Sequence, residues 1–334
     1  MRLRVMEHIR ALEIPVWVRW SIKAIVSGIA LYYVIYQIQL EAVNWQDWWT
    51  QCSGPRMWAI GAALALLPLN LGLEVAKWRL GFLDQDNSLG RLVAWRGILI
   101  GVGLGLFTPN RLGEYAGRLW QVQTNQRWNA GVWTWLGRMA QMTCTCLLGL
   151  LSLYFLLAYQ PIATPEWWNI LASWGHWGGV GALLAGGCLL ALYFILPQIH
   201  TRIPLKWYQR LGYTGHTIPH FPSPQRLVQL LGLSALRYGV FTIQYVMLLW
   251  ACGADGGLGQ LALMVGLVFL IKSFFPTVAL AELGVRESVA LTVMGVFALP
   301  PSVAVMATLM LFLVNLALPG MVGISLLYLE RKAN

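Results

Sequence analysis

Apolar runs of about 18 or more residues recur along nearly the whole chain, and that is the length an α-helix needs to cross the roughly 30 Å hydrocarbon core of a bilayer. Lipid offers the backbone no hydrogen-bond partners, so runs of this kind persist only as helices that satisfy their own N–H and C=O groups. Of 334 residues, 58% are hydrophobic and 11% charged, whereas a soluble domain carries about 25% charged residues. A soluble fold is excluded. The longest hydrophilic stretch, Pro197 to Pro224, is too short for a core of its own. The chain therefore reads as one all-α, polytopic transmembrane domain over 1–334, acting within or at the bilayer.

Apolar length and the polar or proline-bearing breaks place full spans at about 17–39, 57–76, 131–158, 174–196, 226–250 and 302–328, which makes about six. Two regions depart from this pattern. Gly97 to Phe107 offers eleven apolar residues, about 16 Å of helix, before Thr108-Pro109-Asn110-Arg111 breaks it. Leu258 to Phe275 is broken at Pro276 to Gly284 and resumes from Val285 to Leu299. Each region is expected to form a re-entrant pair of half-helices, with two short full spans as the alternative that returns to the same side.

Charge position orients these spans. Expected inside loops carry Arg2, Arg4 and Arg10, then Lys77, Arg79, Arg91 and Arg96, then Arg202, Lys206 and Arg210, and finally Arg331 and Lys332; expected outside loops carry only Arg56. This asymmetry places both termini in the cytoplasm of a plasma (inner) membrane protein. It also accounts for the net charge of +10 without any nucleic-acid partner. Trp45, Trp48, Trp49, Trp58, Trp167, Trp168, Trp174 and Trp177 gather at the expected outer surface, where indoles favour the headgroup zone. The N-terminal apolar run is too long for a signal peptide and reads as an uncleaved first span. Cys52 and Cys252 both fall outside, so a disulfide between them is open. The five cysteines form no C-x-x-C pair, and neither a metal nor a cofactor is expected.

Residues 57–158 and 226–328 each read as span, broken pair, span. The breaks are alike: Phe107-Thr108-Pro109 leads to Leu112-Gly113-Glu114, and Phe275-Pro276-Thr277 leads to Leu283-Gly284-Val285-Arg286-Glu287. A single span separates the units, so the second is expected to be inverted relative to the first, with the two hairpins entering from opposite faces. Transporters commonly use this arrangement.

Several charged residues lie in or beside apolar segments: Glu74, Arg111, Glu114, Arg138, Arg237, Lys272, Glu282 and Arg286. A charge at the bilayer centre costs about 2.5–3.5 kcal/mol on insertion scales. These groups must therefore be paired with one another or face water. Asn70, Glu74 and Lys77 lie on one helical face, and Arg138, Gln141 and Thr145 repeat the pattern, so two spans are expected to turn polar stripes to a common interior. At the first break, backbone N–H groups where the helix restarts would favour an anion. Arg111 and Arg118 can grip phosphate bidentately, and Glu114 can steady an arginine or meet a cationic headgroup. In the second unit, Lys272, Glu282, Arg286 and Glu287 form the matching set. Thr108, Pro109, Arg111, Gly113, Glu114, Arg118, Arg286 and Glu287 are the expected substrate contacts, while Asn70, Glu74, Lys77, Arg138, Arg237, Lys272 and Glu282 are expected to pair charges or gate.

The motif Thr108-Pro109-x-Arg111-Leu112-Gly113-Glu114, followed by Leu283-Gly284-Val285-Arg286-Glu287, resembles the flippase-like transmembrane family of lysylphosphatidylglycerol synthases. The likeness covers nearly the whole chain. It implies a protein that moves an anionic or aminoacylated phospholipid, or a lipid-linked sugar, between leaflets, with membrane lipids as partners. No aminoacyl-transferase domain follows residue 334, and Ala281-Glu282 stand where the family usually carries glycines. Lysylation of lipid by this chain itself is therefore not expected.

The alternative from another class is a membrane-embedded glycosyl- or aminoacyl-transferase, or the accessory subunit of a separately encoded lipid synthase. Asp84-Gln85-Asp86 could hold a metal and a nucleotide sugar, but no nucleotide-binding fold surrounds it. Gly101-x-Gly103-x-Gly105 lacks the dinucleotide spacing and suits close helix packing instead. His200, His216 and His220 lie in a proline-rich stretch that reads as a solvated loop.

Overall fold

The computed structural model describes residues 54, 56–83, 89–108, 111–158, 166–173, 175–199, 222–275 and 281–333, together with Tyr32. Apart from Tyr32, the expected span at 17–39 lies outside the described residues, as do Cys52, Pro109, Asp84, Asp86 and the three histidines at 200, 216 and 220. Every described element is helical. Four stretches are long and apolar enough to cross a membrane: Trp58–Phe82, Arg127–Leu157, Pro224–Ala251 and Pro301–Glu330.

The first comprises α1 (Trp58–Ala65) and α2 (Leu67–Arg79), interrupted at Leu66 just before Pro68, which has no N–H to offer the preceding turn. Next come α3 (Arg91–Leu106), α4 (Gly113–Trp120) and the long α5 (Arg127–Ala158). A short α6 (Glu166–Ser173), in a stretch that reads as loop from sequence, precedes α7 (Gly175–Ile199). The second half holds α8 (Pro224–Ala251), α9 (Leu258–Ser273), α10 (Ala281–Val296), α11 (Pro301–Phe312) and α12 (Leu318–Ala333). A π-helical turn over Leu313–Ala317 joins the last two.

The two broken regions are short pairs. With 16 residues, α3 is longer than the eleven expected, or about 24 Å. It starts earlier because Arg91 and Arg96 are good helix formers whose heads reach past the apolar zone. With eight residues, α4 measures about 12 Å, well short of a bilayer. Both open ends of the pair meet Glu330: Arg96 Nη1 lies 3.9 Å from it, and Gln121 donates to it at 2.8 Å. So α4 ends on the side from which α3 starts. In the other pair, α9 and α10 have 16 residues each. At the far end of the bundle, Arg56 pairs with Asp255 at 3.0 Å and Trp58 packs at a tilt against Trp250, so the start of α1 meets the end of α8.

Packing between the halves is reciprocal. While α1 and α2 pack on α8, α3 packs on α12 and α9 packs on α5. Small residues bring both latter pairs into backbone contact, as membrane helices require when no hydrophobic driving force separates them from lipid. A Cβ on Gly103 would lie 2.8 Å from Gly320 O, and one on Gly149 would lie 3.1 Å from Gly266 O. The triple-glycine pattern at 101–105 is thus a packing surface: Gly103 faces α12, while Gly101 and Gly105 face α4.

Two principal apolar cores result. One is built from α8 to α11, including Tyr245, Leu249, Val268, Met294 and Ala307, and Tyr245 and Thr308 hydrogen-bond through their hydroxyls inside it. The other joins α2, α3 and α5 through Trp78, Ile98, Trp133 and Leu136. Lys77, counted from sequence among charges beyond the span, instead lies inside α2 and is 2% exposed, because the helix continues to Arg79 and turns Lys77 onto Glu74.

Candidate functional site

A cavity of about 320 Å³ lies between these cores, within the size range of small-molecule sites. The two sequence-predicted stripes converge on it: Asn70, Glu74 and Lys77 from α2, and Arg138, Gln141 and Thr145 from α5. Arg111, Glu114 and Arg118 enter from the first broken pair, Arg237 from α8, Lys272 from α9 and Arg286 from α10. Its described lining therefore holds seven cationic side chains and two carboxylates. Leu71 and Ile98 from one core and Leu311 from the other complete the wall.

Glu74 is the hub, 7% exposed. Its Oε1 accepts from Arg118 Nη2 at 2.7 Å, and its Oε2 meets Lys77 Nζ at 3.1 Å and Arg237 Nη1 at 3.0 Å. These bonds tie α2 to α4 and α8. A relay of amides extends the network: Arg237 Nε donates to Asn70 Oδ1 at 2.9 Å, and Asn70 Nδ2 donates to Gln244 at 3.1 Å and Asn315 at 2.8 Å. Gln244 in turn donates to Ala63 O. Lys77 also donates to Gln141 at 3.3 Å.

Glu114 is held more loosely, with Arg111, Arg118 and Arg138 at 3.8, 3.9 and 4.0 Å. Four of the cavity's arginines rest on aromatic rings: Arg118 on Trp78, Arg138 on Tyr115, Arg237 on Phe241 and Arg286 on Phe312. Cation–π contact fixes each guanidinium plane without using its N–H groups.

The turn between α3 and α4 is built around two residues. Thr108 Oγ1 accepts from Gly113 N–H at 2.7 Å and donates to Leu104 O at 3.1 Å, so this hydroxyl is committed to the backbone. Arg111 adopts a left-handed conformation with φ 55. The N–H groups of Glu114 and Tyr115 bond to Arg111 O and Leu112 O. The helix start that sequence reading offered to an anion thus has its N–H groups bonded within the chain.

Of the remaining expected contacts, Gly113 is buried where α4 crosses Leu104, and Glu287 is 5% exposed but stands off the cavity lining. The side chain of Glu282 lies outside the described residues. Sequence reasoning missed Gln244 and Asn315. Their signal was available: each is an amide inside an apolar span, and Gln244 follows Arg237 by seven residues on one face. Among the described residues, no three His, Cys, Asp or Glu side chains converge as a metal site would require.

Residues 20–323 match the family described as the lysylphosphatidylglycerol synthase TM region. The chain belongs to that family. No curated protein matches it. The family match covers both broken pairs and every cavity residue named above, so this lysylphosphatidylglycerol synthase TM-region protein is a polytopic membrane protein whose polar interior lies within the family's own domain.

Proposed function

We propose that this protein moves a lipid headgroup between leaflets, with the headgroup entering the polar cavity while the hydrocarbon tails remain in the bilayer. The observation that carries the reading is the cationic cavity itself, a half-open space between the helices of the two halves. A buried, donor-rich chamber in a membrane domain has no structural need for so many cations, since each costs energy to desolvate.

In this reading, units 57–158 and 226–328 are inverted repeats, α3–α4 and α9–α10 are re-entrant hairpins entering from opposite faces, and rocking of one unit on the other alternates access. The reciprocal packing of α3 on α12 and α9 on α5 supports it, as does the return of α4 to the side where α3 begins. Both termini are cytoplasmic and the membrane is the plasma (inner) membrane, as the distribution of Lys and Arg argues. Arg111, Glu114, Arg118 and Arg286 contact the headgroup; Glu74, Lys77 and Arg237 brace the helices around it.

Arg111→Asn tests the assignment. Asn tolerates the left-handed backbone that Arg111 occupies, so the turn is kept while the charge is lost. Liposomes containing the purified protein are expected to exchange labelled phosphatidylglycerol or a lipid-linked sugar phosphate between leaflets, and the folded variant to do so at least tenfold more slowly. Exchange at the wild-type rate would remove Arg111 from the site.

A further inference from the structure

The carboxylates and guanidiniums of the cavity together indicate which headgroup charge it accepts. A carboxylate is the strongest partner the lining could offer a cationic headgroup, and both described lining carboxylates are already surrounded. Glu74 uses both oxygens on Lys77, Arg118 and Arg237 at 2.7–3.1 Å. Glu114 lies within 4.0 Å of three arginines. Any ammonium brought beside either carboxylate would also be brought beside their cations, at short range and away from bulk water.

The unpartnered charged groups of the described lining are guanidinium donors. Arg286 lines the cavity and is 4% exposed, yet its Nε and Nη2 have no hydrogen-bond partner among the described residues. These two groups form the lateral edge of the guanidinium, which presents two parallel N–H bonds to two oxygens of one anion. Phe312 backs the plane at 5.6 Å. Arg118, 3% exposed, likewise keeps an unpartnered Nε while its Nη2 holds Glu74. Buried guanidinium N–H groups are costly to leave without a partner.

We infer that the cavity selects a phosphate-bearing headgroup of net negative charge that carries no cationic group of its own, with the Nε–Nη2 edge of Arg286 as its bidentate phosphate contact. This names the substrate class of the transport site proposed above and rests on that reading. The shared chemistry is an oxyanion with adjacent acceptor oxygens. A phosphodiester with a neutral alcohol, a lipid phosphomonoester and a lipid diphosphate all supply it, whereas choline or lysyl esters add a cation, and both carboxylates of the described lining are already engaged.

The full chain in detergent micelles is titrated with glycerophosphoglycerol, glycerol 3-phosphate, inorganic pyrophosphate, glycerophosphocholine and lysine methyl ester, with binding read by calorimetry. At least one of the three anions is expected to bind ten or more times tighter than the last two probes, and the tightest of the three names the phosphate type. Arg286→Lys keeps the charge but cannot present two parallel donors; it is expected to weaken that anion at least tenfold with an unchanged melting profile.

Equal affinity for glycerophosphocholine or the lysine ester, or no binding by any anion, overturns the inference whatever the variant does. Leaflet exchange of the corresponding lipids in liposomes separates the two readings. Anion-selective binding without exchange of any lipid removes transport and keeps the headgroup class. Exchange that ignores headgroup charge keeps transport and removes the class.

Discussion

Glu74→Gln is expected to destabilise the fold by roughly 3–5 kcal/mol, the cost of removing one partner from a buried ion cluster and leaving the others uncompensated. The carboxylate is the common acceptor for Lys77, Arg118 and Arg237, of which the first two are nearly inaccessible to solvent. A neutral amide would leave three cations facing one another across α2, α4 and α8, and its own NH₂ would add two donors where only acceptors are wanted. A loss of this size approaches the whole stability of many folds, so the variant is expected to be recovered in low yield and to melt far below wild type. Adding Lys77→Met to Glu74→Gln should restore part of the loss by removing the most buried unpaired cation. If Glu74→Gln melts with wild type in detergent, the cluster is solvated and does not hold these helices together.

The second large effect is steric. Where α3 and α4 cross, a Cβ on Gly117 would overlap the backbone of Gly101 and lie 2.8 Å from the carbonyl carbon of Ile100. Backbone atoms cannot move aside as a side chain can, so Gly117→Ala must push the two helices apart. Overpacking typically costs about 1–3 kcal/mol. In this protein the displacement would also carry Arg118 away from Glu74, because Gly117 and Arg118 are adjacent on α4. Gly131→Ala is the matched control: it lies inside α5 with nothing within 4 Å of its Cβ position, and by helix propensity it should stabilise by about 0.5–1 kcal/mol. Opposite shifts in melting temperature are expected from the two alanines. Equal behaviour would mean that the α3–α4 crossing is looser than the backbone distances indicate.

The contrast between these two glycines illustrates what could be read from the chain alone. Both sit in apolar or amphipathic sequence, and nothing in either neighbourhood says which one touches another helix. The triple-glycine run at 101–105 did announce close packing, because regularly spaced small residues leave a helix with a flat face. Its partners, Gly117 on α4 and Gly320 on α12, are separated from it by 12 to 16 residues in one case and by more than 200 in the other. Contact between such distant segments depends on how helices cross, and composition carries no record of that.

The charged residues divide in the same way. Apolar run length was enough to establish an all-α membrane protein, since the bilayer permits few solutions to backbone hydrogen bonding. Helical periodicity was enough to turn Asn70, Glu74 and Lys77 toward the face shared with Arg138 and Gln141. The interruptions between α3 and α4 and between α9 and α10 were legible because proline and short apolar length interrupt a span wherever they occur. Which cation meets which carboxylate was decided only by the tertiary structure. Glu74 could have paired along its own helix with Lys77 alone; it also takes Arg118 and Arg237 because α4 and α8 bring them within 3.0 Å. Thr108 and the helix start of α4 likewise read as ligand-facing donors, yet the fold closes them on each other. Local pattern determines which residues a helix must hide from lipid, whereas the choice of partner inside is a competition among all groups that the packing brings into reach, and only the assembled bundle resolves it.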